Sequence, residues 1–186
     1  MKIFNINDEK TKTELVVKII DSKNVDISIP GSNGLPDVLT ALGVRNFTDT
    51  KRRSIKVSYS LYTAAVSVVG TIAGLLDDFT DKPNIRLSGH SLGGGLVQVI
   101  AFLLLDLGYD NLSMVLTGSI RAGNKEFAIF LEDSCKKIIW QEYGNDPIPL
   151  IWPWRSRVGF VATLKERKFP WLDFNLTGGD HMNYWK

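Results

Sequence analysis

The sequence predicts an α/β domain with a mostly parallel central sheet and helices on both faces. Three observations predict it. Apolar runs and turn signals alternate in strand-then-helix order along most of the 186 residues, and that order generates parallel strand pairing. With 44% hydrophobic residues and no polar tract or linker-like stretch, the chain suits one compact core, so residues 1–186 are read as a single domain. The third observation is the stretch GHSLGGG at 89–95, followed directly by the apolar run LVQVIAFLLLDL. It places a serine where a strand passes into a helix.

The elements follow in order. ELVVKII (14–20) and VDISI (25–29) read as two strands joined by a tight DSKN turn, after which PGSNG opens a loop. PDVLTAL predicts a short helix opened by Pro36. Residues 59–76 carry apolar side chains around most of a helix circumference, so cover on both sides is expected. NIRLSG (84–89) is a strand, Ser91 to about Leu107 a helix, and SMVLTG (113–118) the next buried strand. KEFAIFLEDSCKK is a helix and KIIWQEYG (137–144) another strand. In parallel sheets of this kind, function gathers at the carboxyl ends of the strands.

Charge and cysteine content exclude several classes. The net charge of +2 comes from scattered basic residues, not from the basic stripe that a nucleic-acid partner requires. KRR at 51–53 is the densest basic cluster; it reads as a solvated turn, with contact to anionic headgroups as the alternative. Cys135 is the only cysteine, so no intrachain disulfide is possible. The amino end, MKIFNINDEKTKTEL, lacks the pattern of a secretion signal, and no apolar run is read as reaching spanning length. The expectation is a soluble, cytoplasmic protein.

The serine at 91 has the context of a nucleophile elbow, strand before and helix after. A G-x-S-x-G pattern arises by chance in roughly one chain in fifteen of this length, so the flanking elements carry the argument. On such a sharp turn strand and helix nearly touch, and Gly89 and Gly93 occupy the two positions that must be small. The helix start points N–H groups at the reacting centre, which makes the Leu92 N–H a candidate oxyanion donor. A serine needs a base, and the chain has two histidines. His90 adjoins the serine on a turn expected to point its ring away, which leaves His181 in the Gly-rich LTGGDHMNYWK. The acid that orients it is sought between serine and histidine, where Asp106, Asp110, Asp133, Asp146, Asp173 and Asp180 fall. Asp146 follows a strand directly, in GNDPIPL, and is chosen; Asp173 is second. A second oxyanion donor is sought in PGSNG, at Ser32, against the alternative of a plain turn.

These blocks resemble the class 3, fungal-type triacylglycerol lipases, a branch of the α/β hydrolases. GHSLGG at 89–94 is similar to the family's nucleophile motif, ISIPGSNGLPDVLTAL to its oxyanion segment, GSIRAGNKEFA at 118–128 to its Gly-x-Pro-Arg-x-Gly-Asn block, DPIP at 146–149 to its acid motif, and HMNY at 181–184 to its terminal His-x-x-Tyr. Pro30, Ile120 and VSYSLY at 57–62 depart from the family pattern. The resemblance implies Ser91 as nucleophile, Asp146 as orienting acid, His181 as base, and Ser32 with Leu92 as oxyanion donors. It also implies a lid, which in so short a chain must come from roughly residues 33–56.

IWPWRSR at 151–157 has two readings: an interfacial rim with Arg155 and Arg157 near headgroups and transient membrane-surface contact, or tryptophans packed into the side of the domain. The function expected is hydrolysis of lipid-like carboxylic esters with no metal or organic cofactor. The alternatives are a phospholipase, thioesterase or deacylase with the same triad, and a non-enzymatic lipid- or partner-binding module.

Overall fold

The computed structural model describes residues 1–31, 45–150, 153–165, 180–182 and 184. Seven strands form one sheet: β1 (Lys2–Asp8), β2 (Thr13–Ile19), β3 (Asn24–Ile29), β6 (Asn84–His90), β7 (Leu112–Thr117), β8 (Lys137–Tyr143) and β9 (Phe160–Lys165), hydrogen-bonded in that spatial order. β1 through β3 pair antiparallel and β3 through β9 parallel. A separate hairpin pairs β4 (Asn46–Thr48) with β5 (Lys56–Ser58).

The central strands bury alternate residues, as a two-fold side-chain repeat dictates. Ile85 and Leu87 of β6, Met114 and Leu116 of β7 and Trp140 of β8 lie on the buried face. Arg86 and Ser113 point the other way and stay exposed or half-buried.

Three helices cover the buried face: α1 (Tyr59–Leu76), α2 (Leu92–Asp106) and α3 (Lys125–Ser134). Consecutive parallel strands added in one direction by right-handed crossovers place their helices on the same side. The expected second helical layer is therefore not found among the described residues. α2 lies between its neighbours and buries eleven residues, which explains its apolar circumference. α1 is different. Its buried residues Leu61, Ala65, Val68, Ile72 and Leu76 form one stripe, while Val66 and Gly70 face solvent. The expected cover on both sides is not found among the described residues, and by length and composition this helix does match a membrane span, contrary to the sequence reading. α3 is capped by the Asn124 side chain, which accepts the Phe127 N–H, and ends at Ser134, before the expected Lys137.

Four strands escape sequence reading: β4 and β5 of the hairpin, β1, a largely exposed edge, and β9, which begins after Gly159, where the chain turns at φ +75°. The predicted helix at Pro36 lies outside the described residues, as does much of the predicted lid. The described part, 45–56, is a fastened hairpin. Phe47 stacks on Tyr62 at 3.6 Å, and Arg52 bridges Asp49 and Asp106 while its guanidinium sits 4.5 Å from the Phe130 ring centre. The KRR cluster thus places its middle residue in a structural anchor.

Two glycines give opposite expectations. A methyl group on Gly93 would overlap the Pro30 and Ile29 carbonyl oxygens, so Gly93→Ala is expected to cost about 3 kcal/mol. Gly70, in the middle of α1, has nothing within 4 Å of that position, and Gly70→Ala should add about 0.5–1 kcal/mol. Urea unfolding midpoints of the two variants check both signs.

Candidate active site

Ser91 stands alone between the end of β6 and the start of α2, and makes the whole turn in one residue. Its φ of 56° and ψ of −123° lie in a region that a side chain normally avoids, at a cost of roughly 1–3 kcal/mol. The surroundings hold it there. Its N–H donates to the Thr117 carbonyl at 3.0 Å, and its carbonyl accepts from Gly94 and Ile120 at 3.1 and 3.3 Å. A methyl on Gly89 would lie 2.5 Å from the Gly93 carbonyl oxygen, so strand and helix pack as the motif predicts. Gly94 and Gly95 serve the same close packing, facing Ser119 and Ile120; the sequence reading assigned them no task.

Leu92 is the first residue of α2, where N–H groups have no partner within the helix and the dipole is positive. Ser32, the second predicted oxyanion donor, lies outside the described residues. Its neighbour Gly31 is described and abuts the site, with its Cβ position 3.1 Å from Ser91 Cβ.

Asp146 follows β8 through Gly144, which turns at φ +51°, and is fully buried. Its carboxylate is well supplied with donors. Oδ1 accepts the Ile148 N–H at 2.9 Å, and Oδ2 lies 2.9 Å from His181 Nδ1 and accepts the Tyr184 hydroxyl at 2.7 Å. A carboxylate can only accept, so it selects the Nδ1–H form of His181 and leaves Nε2 bare and basic. Among the described residues, Ser91 Oγ makes no side-chain hydrogen bond; such contacts are often long before substrate binds. Asp173, the second candidate acid, lies outside the described residues.

Three residues support this pair beyond what the sequence disclosed. The Tyr184 hydroxyl accepts the Tyr143 N–H at 3.0 Å while donating to Asp146, and burial, reinforced by the Asp146 charge, pushes its phenol far above the ordinary range. Its signal was the tyrosine of HMNY, which carried no role by itself. Asp180, one of the candidate acids not chosen, accepts the Asn145 N–H at 2.9 Å and so fastens the histidine segment to the acid loop. Gly118 leaves the space the pair occupies: a side chain there would meet Asp146 Oδ2 at 2.7 Å and His181 Nδ1 at 3.1 Å. His90 points at His181, with ring centres 4.5 Å apart.

Residues 151–152 lie outside the description, and Trp154 is exposed. Arg155 is buried and donates to the Ala122 carbonyl and Asn46. Arg157, about a third exposed, pairs with Glu142 at 2.7 Å.

A mostly parallel sheet with a strained serine between strand and helix, and a buried Asp–His pair on the loops beyond later strands, defines an α/β-hydrolase scaffold. The class 3 lipase family model matches residues 27–156, and the chain belongs to that family. It resembles solved fungal lipases: the triacylglyceride lipase of Rhizomucor miehei at TM-score 0.74 and 21% identity, over 87% of this chain and 66% of that one, and lipase II of Rhizopus niveus at TM-score 0.76 and 19% identity, over 88% and 66%. A sequence relative, the secreted mono- and diacylglycerol lipase 2 of Gibberella zeae, is 29% identical over 101 residues, covering 46% of this chain and 25% of its own length. The chain thus spans a quarter of that relative and about two thirds of the solved lipases.

Two substitutions probe the acid. Asp146→Asn presents a donor where His181 needs an acceptor, and kcat on an activated ester should fall about 10³- to 10⁴-fold. Tyr184→Phe removes the hydroxyl's hydrogen bonds to the Tyr143 N–H and to Asp146 and should lower stability by about 1–2 kcal/mol, read by urea unfolding, with a roughly tenfold loss of kcat.

Proposed function

We propose that the protein is a serine ester hydrolase acting on lipid-like carboxylic esters. The observations that carry this reading are the buried Asp146–His181 pair, the strained serine at a helix start, and the ring of His90, next to that serine in sequence, packed against His181. Ser91 Oγ attacks the ester carbonyl as His181 Nε2 takes its proton, and Asp146 stabilises the imidazolium that forms. The tetrahedral oxyanion rests on the Leu92 N–H, with Ser32 as second donor. His181 then returns the proton to the departing alcohol. Water repeats both steps on the acyl-enzyme.

Lipid-like substrates are favoured by the family, by the names of the relatives, and by an exposed apolar side chain. Met182, next to the base in sequence, is largely exposed and would carry the transient contact with a lipid surface.

The test is hydrolysis of 4-nitrophenyl acetate, butyrate, octanoate and palmitate by wild type, Ser91→Ala and His181→Ala. Turnover by the wild type with losses of roughly a thousandfold or more in both variants is expected. Equal rates in all three proteins, or failure of the folded wild type to label with a fluorophosphonate, would refute the reading.

A further inference from the structure

The ring beside Ser91 in sequence is engaged with the base rather than with the serine. His90 Nε2 lies 3.0 Å from the His181 carbonyl oxygen, and the two imidazoles pack with centres 4.5 Å apart at an interplanar angle of 31°. A carbonyl oxygen can only accept, so Nε2 carries the proton. Burial, with the neighbouring His181, holds His90 below its ordinary pKa and keeps the ring neutral. The Nδ1 side faces Gly31, whose Cβ position lies 2.9 Å from it and 3.1 Å from Ser91 Cβ. One edge of the site is closed by Tyr184, with its ring centre 5.6 Å from that of His90. His90 therefore reaches from the loop beside the nucleophile to the backbone of the base.

A single hydrogen bond from His181 Nδ1 to Asp146 sets a distance but leaves the ring free to tilt about that contact, and reaction geometry tolerates little tilt. The His90 N–H limits the tilt by fixing the main chain from which the His181 side chain departs. We propose that His90 is a positioning residue that keeps His181 Nε2 aimed at Ser91 Oγ through both proton transfers, an inference that rests on the hydrolase reading above.

His90→Phe keeps an aromatic ring and removes the donor; His90→Gln removes the ring and restores a donor. For 4-nitrophenyl butyrate, His90→Phe should lower kcat about 30-fold with KM within about twofold, and His90→Gln should recover to within about fivefold of wild type. A second readout needs no turnover. The low-field proton NMR resonance of His181 Nδ1–H should be sharp in wild type, broadened by exchange in His90→Phe, and restored in His90→Gln. Should His90→Phe not fold, as judged by its thermal unfolding midpoint, His90→Met makes the same comparison with His90→Gln. Wild-type kcat in the variant lacking the donor, equal impairment in His90→Gln, or an unchanged resonance would each overturn the proposal. Failure of the hydrolase reading is seen separately, as a wild type that neither turns over nor labels, and the resonance still decides the part played by His90.

Discussion

Helix α2 approaches the ends of β3 and β6 so closely that even a methyl group on Gly93 or Gly89 would overlap main-chain atoms, and the remainder of the site depends on that approach. The strand-to-helix turn must be completed at Ser91 alone, with positive φ. Only a closely packed surround can maintain that geometry, because the strain would otherwise relax into an ordinary turn. The consequence is chemical. The hydroxyl is presented above the sheet, at the positive end of a helix whose own core packing holds it rigid.

The second constraint is a fully buried carboxylate. Isolated, Asp146 would be too costly to keep charged away from water. Here the Ile148 N–H, the Tyr184 hydroxyl and His181 Nδ1 share that charge, so the same contacts that make burial tolerable also orient the imidazole. Structure and site thus share one set of hydrogen bonds. Gly118 belongs to this arrangement because the pair fills the space its missing side chain leaves.

Away from the chemistry, polar side chains fasten the loops onto the helical layer. Gln98, buried in α2, donates to the carbonyls of Gly94 and Ile120 and accepts the Ala122 N–H, which braces the segment after β7. Arg155 binds the Ala122 carbonyl and Asn46, joining the 153–158 segment to the β4–β5 hairpin. These groups satisfy buried backbone atoms that would otherwise be left without partners.

The sequence by itself determined the strand-helix-strand order and the strand-to-helix turn at Ser91, and it singled out His181 and Asp146 as candidates, which the fold brings within 2.9 Å of each other. Those features are legible because they rest on local rules: the periods of strand and helix, the smallness of Gly89 and Gly93, and the scarcity of histidines. Tertiary structure alone decided that α1 buries a single stripe, that the described helices share one face, and that Arg52, Arg155 and Arg157 are tied to neighbouring segments. It also assigned Asp180, Tyr184, Gly118 and His90 to the site. The physical reason is that each of these depends on which distant segments meet. An arginine reads the same in sequence whether its guanidinium meets water or a buried carbonyl, and a tyrosine hydroxyl acquires a task only when folding delivers a carboxylate to it.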